Sequence, residues 1–176
     1  RAWRGNQTPG TFTSNPKSAG RWAVKNLALS YLAELDEQEF HALTRQQYEK
    51  ADNMTDRLAA LSALVSSAVS GKDKLLADFY REFEHEPLVV DKWFSLQAVA
   101  HGTDVSVIRS LMKHPAFSLK NPNRARSLIF SFCNGNPANF HAPDGSGYTF
   151  WAEQVIALNA TNPQVAARLA RSLDQW

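Results

Sequence analysis

The sequence predicts an all-α chain of short helices that pair antiparallel. Three observations carry this. Apolar residues recur with the helical period, Asn-Pro pairs punctuate the chain, and strand-like alternation is nearly absent. Asn-Pro stands at 15–16, 121–122, 136–137 and 162–163, half of the eight prolines, so the pair reads as a recurrent helix starter. An Asn side chain can accept from the unpaired backbone N–H groups of a helix start. Proline suits the first helical position, where its missing N–H had no partner anyway.

Taken in order, residues 1–17 hold Gly, Pro, Ser, Thr and Asn without periodicity and read as a loop or lead-in. From residue 18 onward the helical period dominates. Val24, Leu27, Ala28, Tyr31, Leu32 and Leu35 make one apolar face. A segment over 38–51 is less regular. Leu58, Leu61, Leu64, Val65, Ala68 and Val69 make the next face, where Asn53 can cap the helix with Asp56 three residues on, in a capping-box-like arrangement. Leu75, Leu76, Phe79, Tyr80 and Phe83 mark a third face, ended by Pro87. Further helical segments fit 88–101, 104–114, 122–133, 148–160 and 164–176. The stretch "NGNPANFHAPDGSGYTF" (134–150) interrupts them with glycines, prolines and an Asp-Gly turn. Short helices joined by tight polar turns suggest a solenoid of the armadillo or HEAT kind, a superhelix covering 18–176. No repeated consensus is visible, so the repeat would be structural.

Composition excludes several function classes. The formal net charge is +2 with a pI near 8.8, and charges of both signs are mixed, so no nucleic-acid stripe is expected. The lone Cys133 leaves no internal disulfide and no cysteine-based zinc cluster, and a reducing, cytoplasmic setting fits it. No apolar run approaches the ~18 residues of a membrane span, so no membrane partner is expected. The sequence opens on Arg1 without a Met and closes at Trp176 inside a helical pattern, which reads as a fragment.

The chemistry-bearing residues are sparse. "HEPLV" at 85–89 supplies His85 and Glu86, but Val89 stands where a second zinc-ligating His would have to lie, and Pro87 interrupts the helix. His41, His101, His114 and His141 form no ligand spacing. Ser146 in "DGSGY" sits in a turn between helices, not on a strand-to-helix elbow, so a turn residue explains it better than a nucleophile. Asp144 and Ser146 lack the oxygen ladder of a calcium loop. Glu82 with Glu86 reads as a solvated face, and Trp93, Phe94 and Leu96 to Ala98 as core. "NPNRARSLIF" (121–130) is the odd stretch. It places Arg124 and Arg126 near the positive end of a helix dipole, where acids are favoured by ~0.3–1 kcal/mol. Each arginine could face a local carboxylate, solvent or a ligand.

Five stretches occur together and in order: "SAGRWAVKNLALSYL" (18–32), "YEKADNMTDRLAALSALV" (48–65), "PLVVDKWFSLQA" (87–98), "NPNRARSLIFSFCNGNPANFHAPDGSGYTF" (121–150) and "NPQVAARLARSL" (162–173). They resemble the C-terminal helical domain of bacterial aminopeptidases N, in the M1 family of zinc aminopeptidases. The resemblance covers about residues 18 to 173, and residues 1–17 match nothing comparable. It implies a larger enzyme whose catalytic domain carries an HExxH zinc motif, a further Glu ligand, a GAMEN-type motif and a catalytic Tyr, all absent here. It also implies an armadillo/HEAT-like superhelix that closes over that domain and leaves a cavity for peptides.

On the same resemblance, Arg126 and Arg168 point into the cavity and help position the peptide beyond the scissile bond. Both follow Asn-Pro starts and so are expected on the N-terminal part of a helix, where a guanidinium fork can engage peptide carbonyls or a carboxylate. Arg124 is assigned no such role. The chain alone is expected to hold no zinc, to have no catalytic residue and to be inactive. Its partners would be the catalytic domain of the same polypeptide and peptide substrates. The rival expectation is a free-standing armadillo-like scaffold that binds a peptide or protein partner.

Overall fold

The computed structural model describes residues 1–7, 15–35 and 37–174. These residues are helical throughout, with no strand among them, as the periodicity implies. No described helix is long and apolar enough to cross a membrane. The chain divides into two compact units, Arg1–Ala77 and Asp78–Trp176.

The first unit holds α1 (Ala2–Gly5), α2 (Pro16–Ala33), α3 (Gln38–Lys50) and α4 (Met54–Ser66). Within the segment read as a lead-in, α1 is a helical turn and α2 already starts at Pro16. The rest of that segment, 8–14, lies outside the described residues. Asn15 caps α2 by accepting from the Ser18 N–H at 2.9 Å. Asn53 caps α4 by accepting from the Asp56 N–H at 2.9 Å, while the Asp56 carboxylate accepts from the Asn53 side chain at 3.2 Å. The expected box is present, closed through side chains.

A polar network ties these helices together. Trp3 Nε1 donates to Gln47 Oε1 at 2.9 Å, and Gln47 Nε2 donates to Asn26 Oδ1 at 2.8 Å and to the Asp56 carbonyl at 3.2 Å. Asp56 Oδ1 accepts from Asn26 Nδ2 at 2.9 Å, and Oδ2 accepts from Lys25 Nζ at 2.5 Å. Both members of the Lys25–Asp56 pair are buried. Thr44, Gln47 and Tyr48 are the buried residues of α3, which is why its apolar period looked irregular.

The network also corrects the reading of α2. Its buried residues are Trp22, Lys25, Leu29 and Ala33, whereas Val24, Leu27, Tyr31 and Leu35 are exposed. Both sides of this helix carry apolar residues, so periodicity alone was ambiguous. Pairing Lys25 with Asp56 turns the opposite stripe outward.

The second unit contains the C-terminal part of α5 (Lys72–Phe83), then α6 (Pro87–Ala98) and α7 (Val105–Leu111). A helix of three parts follows: α8 (Pro122–Ala125), a π turn (Arg126–Phe130) and α9 (Ser131–Gly135). Then come α10 (Pro137–Phe140), α11 (Ser146–Asn159), α12 (Pro163–Ala170) and a 3-10 turn (Arg171–Leu173). Phe79, Phe94, Phe132, Phe140 and Phe150 are fully buried in its core. Asn121, Asn136 and Asn162 each cap a helix whose next residue is the proline, so every Asn-Pro pair acts as the sequence suggests.

Asn136 does more than cap. Its buried Nδ2 lies 3.0 Å from the Ala98 carbonyl, 3.1 Å from that of Ala100 and 3.0 Å from that of Thr103. One side chain thus gathers the turn after α6 and satisfies carbonyls that burial would otherwise leave costly. Past α10, Gly145 takes the left-handed conformation (φ 71°), and Asp144 accepts from the Ser146 N–H at 2.9 Å, which starts α11 at Ser146. Ser146 is therefore a turn residue. Gly147 is required by close approach, because a Cβ there would meet the Phe140 carbonyl oxygen at 2.0 Å. Gly147→Ala should lower stability by about 3 kcal/mol, as overpacking against backbone does, measured by urea denaturation. Unchanged stability would show that α10 and α11 separate freely.

Candidate functional site

The candidate site is the helix that begins at Asn121, together with α6 beneath it. Asn121 Oδ1 accepts from the N–H groups of Asn123 at 3.0 Å and Arg124 at 3.3 Å. No acidic residue occupies the first turn, yet Arg124 is buried there, 7% exposed. Its counter-charge comes from another helix. Arg124 Nη1 lies 2.8 Å from Asp91 Oδ1 of α6, and the guanidinium carbon sits 5.3 Å from the Phe94 ring centroid. The Arg–Asp contact is an ion pair, not an aligned hydrogen bond, and Arg124 Nε and Nη1 meet no hydrogen-bond acceptor among the described residues. The carboxylate that a helix N-terminus favours is thus supplied from 33 positions upstream (124 − 91).

Arg126, two residues on, is exposed. Its Nη1 lies 3.4 Å from Asn123 Oδ1, a neutral partner at the edge of hydrogen-bond reach. Arg126 also opens the π turn. The Ser131 N–H bonds back to the Arg126 carbonyl, and Ser131 Oγ lies 3.4 Å from the same oxygen and 3.3 Å from Ser95 Oγ of α6. The extra residue of a π turn lets Arg124 face Asp91 while Leu128, Ile129, Phe132 and Cys133 still face the core.

Arg168 is also exposed, but the expectation that it projects from the start of a helix is corrected. It lies in the last turn of α12, because the helix ends at Ala170 and is short. There a cation complements the dipole.

Other groups singled out in the sequence fall into structural roles. His114 is packed among rings, with centroids 4.6 Å from Tyr80, 5.1 Å from Trp93 and 5.8 Å from Phe94, and its Nδ1 accepts from the Ala116 N–H at 3.2 Å. Burial, and then the nearby Arg124 cation, hold it below the usual imidazole range. Cys133 is buried, and burial pushes its thiol up to about 12, so it is inert at neutral pH. His141 Nδ1 lies 2.7 Å from the Tyr148 hydroxyl. His85 is exposed beside Glu84. No three His, Cys, Asp or Glu among the described residues are grouped to hold a metal.

Sequence reasoning did not find Asp91 or Asn123. The only signal for Asp91 was a lone acid facing inward on an apolar helix. Asn123 was visible only as a possible neighbour one turn from Ser127, whose Oγ donates to its carbonyl at 2.8 Å.

Comparisons with known proteins agree with this helical architecture. Residues 1–176 match the family described as "Domain of unknown function (DUF3458_C) ARM repeats". Aminopeptidase N of Haemophilus influenzae is 48% identical over 151 residues, covering 85% of this chain and 17% of that protein. Aminopeptidase N of Escherichia coli is 44% identical over the same shares. The crystal structure of Legionella pneumophila aminopeptidase A in complex with aspartic acid superposes with a TM-score of 0.85 at 33% identity, over 97% of this chain and 21% of that one. The chain therefore spans about a fifth of the relatives it matches.

Two outcomes are expected from the site. Arg124→Leu alone strands Asp91 and should cost about 3 kcal/mol in urea unfolding, while Asp91→Leu with Arg124→Leu should recover most of the loss. Equal losses in single and double variants would show that packing, not charge pairing, holds the site. The second outcome concerns His114, whose ordinary value is 6.5. Above that value both folded and unfolded chains carry it neutral, so it adds no pH slope. As pH falls below 6.5, the unfolded chain takes up the proton first and stability declines. His114→Phe should remove that part of the slope in thermal melts taken downward from pH 6.5; an unaltered slope would refute the assignment. By its match over the whole length, the chain belongs to the DUF3458_C family of ARM-repeat domains.

Proposed function

We propose that this chain works as the helical wall of a longer zinc aminopeptidase of the M1 family. There it bounds the chamber where N-terminal amino acids are removed and restricts access to peptides. The observation that carries the reading is the likeness to aminopeptidases N and A over 85–97% of the chain, at 33–48% identity. The zinc and the groups that act with it lie in the remaining part of that polypeptide, which is also the chain's principal partner. The setting is the cytoplasm.

Within this reading Arg126 and Arg168 hold the part of the peptide beyond the scissile bond. Arg124 is consumed by Asp91, whereas the exposed Arg126 meets only Asn123 among the described residues. An exposed guanidinium favours acceptors such as peptide carbonyls or a terminal carboxylate. Arg168 offers the same chemistry from the last turn of α12. The aminopeptidase activity is tested by assaying the isolated chain and the longer polypeptide with an amino-acid anilide, with and without added zinc. Turnover by the longer form alone supports the reading, and turnover by the isolated chain would sink it. In the longer form, Arg126→Ala should lower kcat/KM for a longer peptide roughly tenfold, about 1.4 kcal/mol, with the anilide nearly unaffected. Equal losses on both substrates would remove Arg126 from peptide positioning.

A further inference from the structure

We infer that the outward face of α2 is a helix-docking surface, covered by an amphipathic helix of the same polypeptide that lies outside residues 1–176. This rests on the reading that the chain is one part of a longer polypeptide, but not on any catalytic activity.

The inference stands on an inversion. Between Trp22 and Ala33 the only charged residue of α2 is Lys25, and it is buried, 4% exposed, against Asp56. The exposed positions on the same stretch are Ala23, Val24, Leu27, Ser30 and Tyr31, none charged. Val24, Leu27, Tyr31 and Leu35 are 46%, 59%, 70% and 55% exposed. A solvated helix places its charges outward and its large apolar residues inward. Here the reverse holds, and contiguous exposed apolar surface of this kind marks an interaction site.

The spacing identifies the shape of the occupant. Steps of three and four residues put Val24, Leu27 and Tyr31 in one stripe of α2, and Leu35, in the turn just past Ala33, extends it to about 17 Å at 1.5 Å per residue. That length matches roughly three turns of a packed helix. Lys17 and Arg21 precede the stripe and Glu34 lies just before its last residue, giving a polar rim.

Two observations identify its source. The family is described as ARM repeats, and a repeat of this kind packs against a neighbour on each side. α2 packs against α4, α1 and α3, with Lys25 reaching Asp56 of α4, and the stripe stays exposed among the described residues. The matched relatives are about five to six times the length they share with this chain, so their polypeptides have ample chain for a further helix pair. A partner in cis also gains from high effective concentration, which an isolated stripe of four side chains would need for stable coverage.

The chain's single cysteine makes the test direct, because Cys133 is buried and poorly reactive. Leu27→Cys adds one thiol at an exposed position, and Glu39→Cys on α3 serves as an exposed control. Each is labelled with a maleimide in the 176-residue chain and in the longer polypeptide, and the modified peptide is quantified by mass spectrometry. The expected result is rapid labelling at 27 in the 176-residue chain and at least ~100-fold protection in the longer polypeptide, as for a packed surface that opens rarely. The control should label equally in both. Equal labelling at 27 in both forms overturns the inference. Protection already present in the 176-residue chain, rising with its concentration, also overturns it and assigns the face to a second copy. As a second variant, Tyr31→Glu should leave the melting temperature of the 176-residue chain unchanged and lower that of the longer polypeptide. No shift in the longer polypeptide counts against docking. A reactive thiol in an active enzyme sinks this inference alone, whereas a protected thiol in an inactive one sinks the peptidase reading alone.

Discussion

A charge that must be buried beside its counter-charge decides which way a helix faces, and such a pair occurs among the described residues of each unit. In the first unit Lys25 meets Asp56, and in the second Arg124 meets Asp91. Buried pairs contribute little net stability, because desolvation offsets most of the attraction. Breaking one is costly all the same, so the pair acts as a register pin. Lys25 cannot reach Asp56 unless the stripe from Val24 to Leu35 turns outward. Arg124 cannot reach Asp91 unless Arg126, about 200° further round an ideal helix, turns away from α6. The outward faces of Arg126 and of the α2 stripe are therefore consequences of these buried pairs.

Local chemistry explains how much of this was legible in the sequence. Each Asn-Pro pair starts a helix, and Asn53 caps α4 with Asp56 in place, because capping needs only neighbours within three residues. The all-α class follows from the same local signals. What the sequence hid is nonlocal. Lys25 and Asp56 are 31 residues apart and Arg124 and Asp91 are 33 apart, so no periodicity announces either pair. Asn136 looked like one more helix starter, yet it also gathers three carbonyls from 33 to 38 residues away. The π turn is likewise invisible to a 3.6-residue period, since it exists to reconcile two buried faces that are one residue out of step.

The second unit shows how an irregular stretch can be tightly specified. Segment 134–150 was the least periodic part of the second half, and it is among the most constrained. Asn136, the left-handed Gly145 and the close contact at Gly147 each fix one bend. Their effect is to bring α10 and the start of α11 together over a core of Phe132, Phe140 and Phe150, whose rings meet edge to face at 5.9–6.0 Å. A loop built this way cannot rearrange cheaply, so the helix before it is held at both ends.

That rigidity bears on how Arg126 could act. Its helix is pinned at the start by the Asn121 cap and the Arg124–Asp91 pair, in the middle by Ser131 against Ser95, and at the end by Asn136. A long side chain on a mobile helix would lose most of its binding energy to ordering. On a pinned helix only the side chain itself must be ordered, and its link to Asn123 limits even that. The local structure thus favours an acceptor arriving from outside the chain. Arg124, carrying the same charge two residues earlier, has already met its need within the fold.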